Sequence, residues 1–189
     1  MAAVELRPYQ QEAKEKIFEA WESVDRTLLV LPTGCGKTIV FAKVTEECVR
    51  RGGRVLILAH RGELLEQASD KIAKATGLGC AVEKAEESCL GSWYRVTVGS
   101  VQSLQREKRL SKFDPEYFNT IIIDEAHHCL SDGYQMVLSH FPQAKVLGVT
   151  ATPDRGDMRN LGQYFESLAY EYTLPRAIRE GYLSPIKAL

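Results

Sequence analysis

The sequence predicts an α/β fold: a single domain with a mostly parallel, doubly wound sheet flanked by helices. Short apolar runs alternate along the chain with longer amphipathic segments, which is the pattern of consecutive strand–helix units. The runs are rich in leucine and β-branched residues and almost continuously apolar, as expected of strands buried on both faces of a parallel sheet. The length of 189 residues suits one such sheet with a single sizeable core.

The elements follow in order from the amino terminus. A first helix is predicted from about Pro8 to Glu22, because proline occupies its first turn and apolar residues share one face. That face comprises Ala13, Ile17, Ala20 and Trp21. Five runs are predicted to form strands, at 27–31, 54–59, 96–99, 121–124 and 145–150. Helical spacing predicts helices at 37–51, 62–76 and 132–141. The polar stretch 83–93 is predicted to be an irregular surface connection, and a last strand and helix are expected after residue 153.

The composition excludes several classes of protein. The net charge is −1, so the chain is not a polycation, and contact with nucleic acid requires a local patch. No apolar run approaches the roughly 20 residues that span a bilayer. The five cysteines show no C-x-x-C spacing, which favours reduced thiols over zinc ligands or disulfides. We therefore expect a protein without membrane contact that is not secreted and is found in the cytoplasm, nucleoid or nucleus.

A phosphate-binding loop is predicted at residues 31–38, Leu-Pro-Thr-Gly-Cys-Gly-Lys-Thr, between a strand and a helix. Glycines at this place let successive backbone N–H groups face a phosphate, and the helix N-terminus adds partial positive charge. Lys37 would contact the β- and γ-phosphates of ATP, and the Thr38 hydroxyl would bind Mg²⁺. Leu31 replaces the usual Gly or Ala, at a position that ends the strand. The alternative is a glycine-rich turn with a surface lysine. The predicted ATP-binding loop residues are Pro32, Thr33, Gly34, Cys35, Gly36, Lys37 and Thr38.

Two carboxylates follow the apolar run Ile121-Ile122-Ile123. Asp124, at the carboxyl end of a predicted strand, could hold Mg²⁺ through its water shell, and Glu125 could polarise the water that attacks the γ-phosphate. Ligands of open α/β sheets bind at this edge, where the phosphate loop is also expected. The alternative is an acidic first turn stabilised by a helix dipole. Lys37, Asp124 and Glu125 are therefore the predicted catalytic residues.

Five segments resemble motifs of superfamily 2 helicases, in the order of that superfamily. Residues 124–127 spell the DEAH box, and 150–153, Thr-Ala-Thr-Pro, resemble motif III. The segments 6–10, 59–67 and 98–102 resemble the adenine-sensing motif, motif Ia and a strand-binding element. Over almost its whole length, the chain is similar to the first RecA-like, P-loop domain of these helicases. The Arg-Pro-Tyr-Gln opening, the Asp-Arg pair after motif III and the stretch 177–185 resemble the type III restriction subunit and DNA-repair translocase branch.

The resemblance implies further roles in the nucleotide site. Gln10, with Arg7 beside it, would bind the adenine edge, since a side-chain amide offers a donor and an acceptor in one plane. Without the motif, Gln10 would be interpreted as a solvated helix residue. His127 would couple the site to Thr150 and Thr152, whose hydroxyls relay the state of the γ-phosphate.

The resemblance also implies contacts with a nucleic-acid backbone, which position a strand without recognising bases. These contacts are expected from His60, Arg61, Ser100 and Gln102. A solvated helix face is the favoured interpretation of most of five further basic residues, Lys71, Lys74, Arg106, Lys108 and Arg109. His128 and Cys129 lack the other spaced ligands that a metal site requires.

Helicases of this kind hydrolyse ATP between two RecA-like domains, and the second domain supplies arginine fingers. No Gln-x-x-Gly-Arg-x-x-Arg element of that domain occurs here. We expect residues 1–189 to be the ATP-binding half of a helicase or translocase that acts on DNA in preference to RNA. By itself, this half is expected to bind ATP or ADP but to hydrolyse ATP slowly. The alternatives are an RNA helicase or duplex-RNA sensor, and a nucleotide-gated binding module without processive movement.

Overall fold

The computed structural model describes residues 5–60, 65–83, 88–151 and 153–185. Its strands are β1 (Arg26–Val30), β2 (Val55–Ala59), β3 (Cys80–Glu83), β4 (Val96–Ser100), β5 (Thr120–Asp124), β6 (Lys145–Thr150) and β7 (Ser167–Glu171). The helices are α1 (Pro8–Trp21), α2 (Lys37–Arg50), α3 (Leu65–Thr76), α4 (Val101–Leu104), α5 (Glu107–Leu110), α6 (Asp132–His140), α7 (Arg155–Tyr164) and α8 (Leu174–Arg179). A 3₁₀ turn occupies Ala126–His128.

The strands form one seven-stranded sheet in the order β3-β4-β2-β5-β6-β1-β7. Every pairing between the described strands is parallel. The chain therefore crosses over between strands through helices, and all the strands end at the same edge of the sheet. This confirms the predicted α/β class and places the segments that follow the strands along one edge.

Helices cover both faces of the sheet, and the strand residues alternate between the two cores. In β1, Leu29 packs in the cluster formed with α1, α2, α3 and α8, whereas Leu28 and Val30 pack in the cluster with α4, α5, α6 and α7. The same alternation occurs in β5, where Ile122 belongs to the first cluster and its two neighbours to the second. Burial on both faces explains why these strands are almost continuously apolar.

The predicted surface connection at 83–93 is wrong at two described positions. Glu83 ends β3 and is fully buried, and Cys89 is buried as well. The Glu83 carboxylate can lie inside because Arg109 donates to Oε1 at 2.9 Å and the Cys89 backbone N–H donates to Oε2 at 2.6 Å. Arg109 is thus a partner of a buried acid rather than part of a solvated face. β3 was not predicted because Cys-Ala-Val-Glu is short and ends in a charge.

Among the described residues, none of the helices has both the length and the apolar character that crossing a membrane requires. The longest of them, α1 and α2, each have 14 residues.

Candidate active site

The carboxyl edge of the sheet brings most of the predicted site residues together. The phosphate loop follows β1, and Asp124 and Thr150 are the last residues of β5 and β6. The register sets Val30 beside Thr150 and pairs Asp124 with Val149, so these three strand ends adjoin.

The phosphate loop turns through two glycines in the left-handed region. Gly34 has φ 91° and Gly36 has φ 79°, and α2 begins directly afterwards at Lys37. A side chain is strained at such φ values. A Cβ on Gly36 would also lie only 2.5 Å from Gln10 Nε2. The loop therefore requires glycine at this position both for its backbone and for the close approach of α1.

Two side chains of α1 donate hydrogen bonds to the backbone of the phosphate loop. Tyr9 Oη donates to the Cys35 carbonyl at 2.7 Å, and Gln10 Nε2 donates to the same carbonyl at 3.1 Å. Gln10 Oε1 accepts from the Arg7 backbone N–H at 2.9 Å. Gln10 is only 3% exposed, so the solvated interpretation is wrong. Gln10 Nε2 also donates to Tyr9 Oη at 3.5 Å, so both N–H groups of its amide have partners within the protein.

Cys35 contributes its carbonyl rather than its thiol. The residue is fully buried, and burial raises the pKa of the thiol above its usual value. A protonated, enclosed thiol is a poor nucleophile.

An aromatic cluster beside the loop had not been predicted from the sequence. The ring of Tyr9 stacks on Tyr172 at 4.1 Å, and Tyr182 packs edge-on against Tyr9 at 4.9 Å. The Arg7 guanidinium lies 4.9 Å from the centre of the Tyr182 ring. Leu183 approaches the loop so closely that a Cβ on Gly34 would lie 3.2 Å from its Cδ2. These contacts join residues far apart in sequence, so no local pattern could reveal them.

The acidic box lies opposite the phosphate loop. Glu125 Oε1 is 3.7 Å from Lys37 Nζ, and Glu125 Oε2 is 3.7 Å from His127 Nδ1. Glu125 has φ 56° and is the only non-glycine residue of the described ranges with a positive φ. A side chain held in this sparsely populated region is typical of functional sites. The Glu125 carboxylate is therefore fixed between a lysine and a histidine.

Asp124 is largely enclosed beside this pair. Burial raises the pKa of its carboxyl above the usual value, and the positive charge of Lys37 opposes that shift. Its Oδ1 accepts the Glu125 backbone N–H at 3.0 Å. The Asp124 carboxylate and the Thr38 hydroxyl, which lines the cavity at the phosphate loop, are oxygen donors of the kind that Mg²⁺ prefers. The residues present thus fit a divalent cation.

A small cavity of about 170 Å³ joins the acidic box to the end of β6. Glu125, His127 and Thr150 all line it. The structure thus brings together His127 and Thr150, two of the three predicted coupling residues. Thr152 lies outside the described residues.

The predicted nucleic-acid contacts are only partly at the surface. His60, directly after β2, is half-buried, and Gln102 in α4 is exposed. Ser100 is buried, and its Oγ accepts the Ser103 backbone N–H at 3.2 Å, which caps α4. In this arrangement the Ser100 hydroxyl has a structural role. Arg61 lies outside the described residues.

A cavity of about 480 Å³ opens in front of the phosphate loop, lined by Gly34, Gly36, Lys37 and Thr38. Lys71 and Lys74 of α3 line it too, although both are exposed. The sequence-based interpretation of these two lysines as part of a solvated helix face did not predict that they line this cavity.

Comparison with known proteins places the chain in a family. A family model described as the type III restriction enzyme, res subunit, matches residues 3–155. The chain belongs to the type III restriction res-subunit family. The resemblance to that branch of superfamily 2 helicases is thereby confirmed, and the domain is a RecA-like helicase domain.

The proteins that are similar in sequence to this chain include two that are much longer. A Saccharomyces cerevisiae protein named as the ATP-dependent helicase IRC3 is 33% identical over 197 residues, covering 96% of this chain and 28% of the relative. The DNA 3'-5' translocase XPB2 of Sulfurisphaera tokodaii is 32% identical over 154 residues, covering 82% of this chain and 32% of the relative. Other relatives are named as DNA or RNA helicases. The chain thus spans about a third or less of these two relatives' lengths.

The fold has a close counterpart among solved structures. The type ISP restriction-modification enzyme LlaGI, solved as a nuclease-deletion mutant with a DNA substrate mimic, superposes with a TM-score of 0.73 at 22% identity. The match covers 95% of this chain and 21% of LlaGI.

Proposed function

We propose that the chain is the ATP-binding half of an ATP-driven helicase or translocase that acts on nucleic acid, DNA in preference to RNA. The pairing of Lys37 with Glu125 at 3.7 Å carries this proposal. It sets a cation that can bind phosphate against a carboxylate that can accept a proton, at the edge of the sheet where ligands bind. Membership of a restriction-subunit family whose relatives are named as ATP-dependent helicases supports it.

The loop residues would hold the nucleotide by its phosphates. Backbone N–H groups of the turn through Gly34 and Gly36 face the phosphates together with the N-terminus of α2. Lys37 balances the charge of the β- and γ-phosphates. Thr38 through its hydroxyl and Asp124 through a water molecule would hold Mg²⁺, which neutralises charge on the phosphates when bound.

Glu125 is the proposed catalytic carboxylate. It would orient the attacking water and accept its proton as the bond from the water oxygen to phosphorus forms and the bond to the leaving ADP oxygen breaks. Its left-handed backbone and its two flanking side chains, Lys37 and His127, fix the carboxylate at one place. Pre-positioning of this kind lowers the barrier because nothing needs to reorganise during the reaction.

The remaining roles extend from the same site. Arg7 and Gln10 are proposed to bind adenine, for which the Gln10 amide would exchange a hydrogen bond within the protein for one with the base. His127 would pass the state of the γ-phosphate to Thr150 and Thr152.

Nucleic acid is proposed to lie against the ends of β2 and β4, with His60, Arg61 and Gln102 on its backbone and Ser100 shaping the end of β4. Backbone contacts carry no sequence information, so the substrate class must come from other evidence. The restriction-subunit family and the relative named as a DNA translocase favour DNA. A second RecA-like domain is proposed to complete the ATP site with arginine side chains. Without it, residues 1–189 bind nucleotide but turn it over slowly.

The test is the ATPase rate of the full-length protein, without nucleic acid and then with single-stranded DNA, duplex DNA and duplex RNA. The salt concentration is held fixed, because backbone binding weakens steeply with salt. A large increase with DNA is expected. An increase with RNA alone would instead establish an RNA helicase or sensor, and a rate that ignores every nucleic acid would establish a nucleotide-gated module.

A further inference from the structure

Three aromatic rings form a column beside the acidic box, which we call the His60 column (His60, His128 and Tyr134). The rings of His60 and His128 are 4.2 Å apart and inclined by 13°, and those of His60 and Tyr134 are 6.3 Å apart and inclined by 6°. His127 then packs on His128 at 4.1 Å. The column thus runs from α6 past the end of β2 to the 3₁₀ turn of the DEAH box.

Two polar atoms of the column are buried without a hydrogen-bond partner: His60 Nδ1 and Tyr134 Oη. Among the described residues these are the only side-chain N or O atoms in that condition. A buried tyrosine hydroxyl ordinarily finds a partner, and an exception calls for an explanation. Both exceptions fall in one ring contact, that of His60 with Tyr134.

The column lies close to the catalytic carboxylates. Burial raises the pKa of Tyr134 above its usual value, and the negative charges of Asp124 and Glu125 raise it further. The Tyr134 hydroxyl is therefore within the field of the acidic box although it belongs to α6. At the other end, His127 bridges from the column to Glu125 Oε2 at 3.7 Å.

The column also adjoins the proposed nucleic-acid edge. His60 follows Ala59, which pairs with Ser100 at the end of β4. Gly133, the neighbour of Tyr134, packs against α4 so tightly that a Cβ there would lie 3.0 Å from Val101 Cγ1. The ends of β2 and β4 therefore adjoin the residues that carry the rings of His60 and Tyr134.

We propose that His128 is a positioning residue which, by stacking on His60, transmits nucleic-acid contact at the ends of β2 and β4 to the orientation of Glu125. The inference rests on the proposed function. Nucleic acid shifts His60, the column moves to an arrangement that pairs its two orphan atoms, and the 3₁₀ turn carries Glu125 with it. Two discrete arrangements biased by both sites are what coupling between sites requires.

The experiment compares His128→Ala with His128→Phe in the full-length protein. Phenylalanine keeps a flat ring against His60, whereas alanine removes it. Three quantities are measured for each: the ATPase rate with and without nucleic acid, the ATP KM, and nucleic-acid affinity by fluorescence anisotropy. His128→Ala should lower the nucleic-acid-stimulated rate by about tenfold, within the usual range of coupling between sites. The basal rate, KM and affinity should stay unchanged, and His128→Phe should restore the stimulation.

Stimulation of His128→Ala equal to that of the wild type would overturn the inference. The inference would also be overturned if His128→Ala lost nucleic-acid affinity or basal rate instead of stimulation, or if His128→Phe did not restore the stimulation. If His128→Ala unfolds below the assay temperature, Tyr134→Phe decides, because it removes only the orphan hydroxyl. It should lower the stimulated rate by about fivefold with the basal rate intact, and no change would overturn the inference. A wild type that no nucleic acid stimulates would refute the proposed function itself, which distinguishes the two failures.

Discussion

The two edges of the sheet carry cavities of nearly equal volume but different chemistry. The cavity at the carboxyl edge measures about 480 Å³, and one at the amino edge measures about 470 Å³. The first is lined by the phosphate loop and three lysines, Lys37, Lys71 and Lys74. The second is lined by the ends of α1 and α2 and by the first residues of β5 and β6. Volume alone therefore does not identify the site.

The polar groups at the amino edge serve the fold. Trp21 Nε1 donates to the Val146 carbonyl at 3.1 Å, and Asn119 Oδ1 accepts the Arg54 backbone N–H at 2.8 Å. Lys145 forms an ion pair with Asp25 at 2.7 Å. At the carboxyl edge, by contrast, Glu125 is held in a strained backbone and Asp124 has a raised carboxyl pKa. Strain and desolvated charge, rather than space, distinguish the edge that performs chemistry.

The largest expected effect comes from Glu125→Gln, which should lower the ATP hydrolysis rate of the full-length protein by about 10²–10⁴-fold, the usual contribution of a general base. Nucleotide binding should persist, because the phosphate loop is unchanged. Steady-state ATPase assays and binding of a fluorescent nucleotide measure the two quantities. The matched control is Glu22→Gln at the amino-edge cavity, which should leave both unchanged. Undiminished hydrolysis in Glu125→Gln would remove the catalytic assignment.

Lys37→Ala should have the second-largest effect. It should lower the ATP turnover rate by about 10²–10³-fold, as when a single charge-stabilising group is removed. Nucleotide affinity should fall as well, since Lys37 would bind phosphate. Lys145→Ala provides the comparison at the other edge: it loses an exposed ion pair with Asp25, which should change stability little, and it should keep full activity. Equal losses of turnover in the two variants would contradict the difference between the edges.

Two glycines separate backbone strain from nucleotide contact. Gly36→Ala and Gly52→Ala each place a side chain at a positive φ, 79° and 92°, and each should cost about 1–2 kcal/mol of unfolding free energy. Only Gly36 has a close neighbour, Gln10 Nε2, whereas no atom lies within 4 Å of a Cβ on Gly52. Denaturant unfolding should show losses in both, and nucleotide affinity should fall only in Gly36→Ala. An unchanged affinity in Gly36→Ala would mean that the loop is not the binding element, and an equal fall in both would mean that backbone strain alone lowers affinity.

Tyr9→Phe tests the support behind the loop and has the smallest expected effect. It removes the hydrogen bond to the Cys35 carbonyl, worth about 1 kcal/mol of stability, and should raise the ATP KM modestly. Tyr170→Phe removes a hydroxyl that bonds Glu12 instead of the loop and should leave KM unchanged. Thermal melts and ATPase titrations distinguish the two variants. A KM that is unaffected in Tyr9→Phe would show that the loop needs no support from α1.

The parallel sheet and the phosphate loop could be predicted because their signals are local. A continuous apolar run such as Ile121–Ile123 indicates a doubly covered strand, and Gly34 and Gly36 next to Lys37 indicate a loop at a helix start. β3 was not predicted because it ends in the charged residue Glu83. The burial of Glu83 is explained by its ion pair with Arg109, which is distant in sequence. The strained φ of Glu125 likewise has no sequence pattern of its own.

Parts of the site that depend on packing between distant elements were not predictable. Tyr172 and Tyr182 meet Tyr9 across more than half the chain, and their spacing in sequence is unremarkable. Ser100 fits a motif by its letters, yet its hydroxyl caps α4 inside the protein. A motif therefore locates a residue along the edge of the sheet, whereas its side-chain direction is decided by the neighbouring helices.

Hydrogen–deuterium exchange of the protein, with and without a non-hydrolysable ATP analogue and Mg²⁺, tests the central claim most directly. The account predicts that the nucleotide slows exchange in the phosphate loop at 32–38 and in the acidic box at 124–127. The amino-edge segments at 51–53 and 119–121 should exchange at unchanged rates. Protection at the amino edge, or no protection of the phosphate loop at a saturating nucleotide concentration, would contradict it.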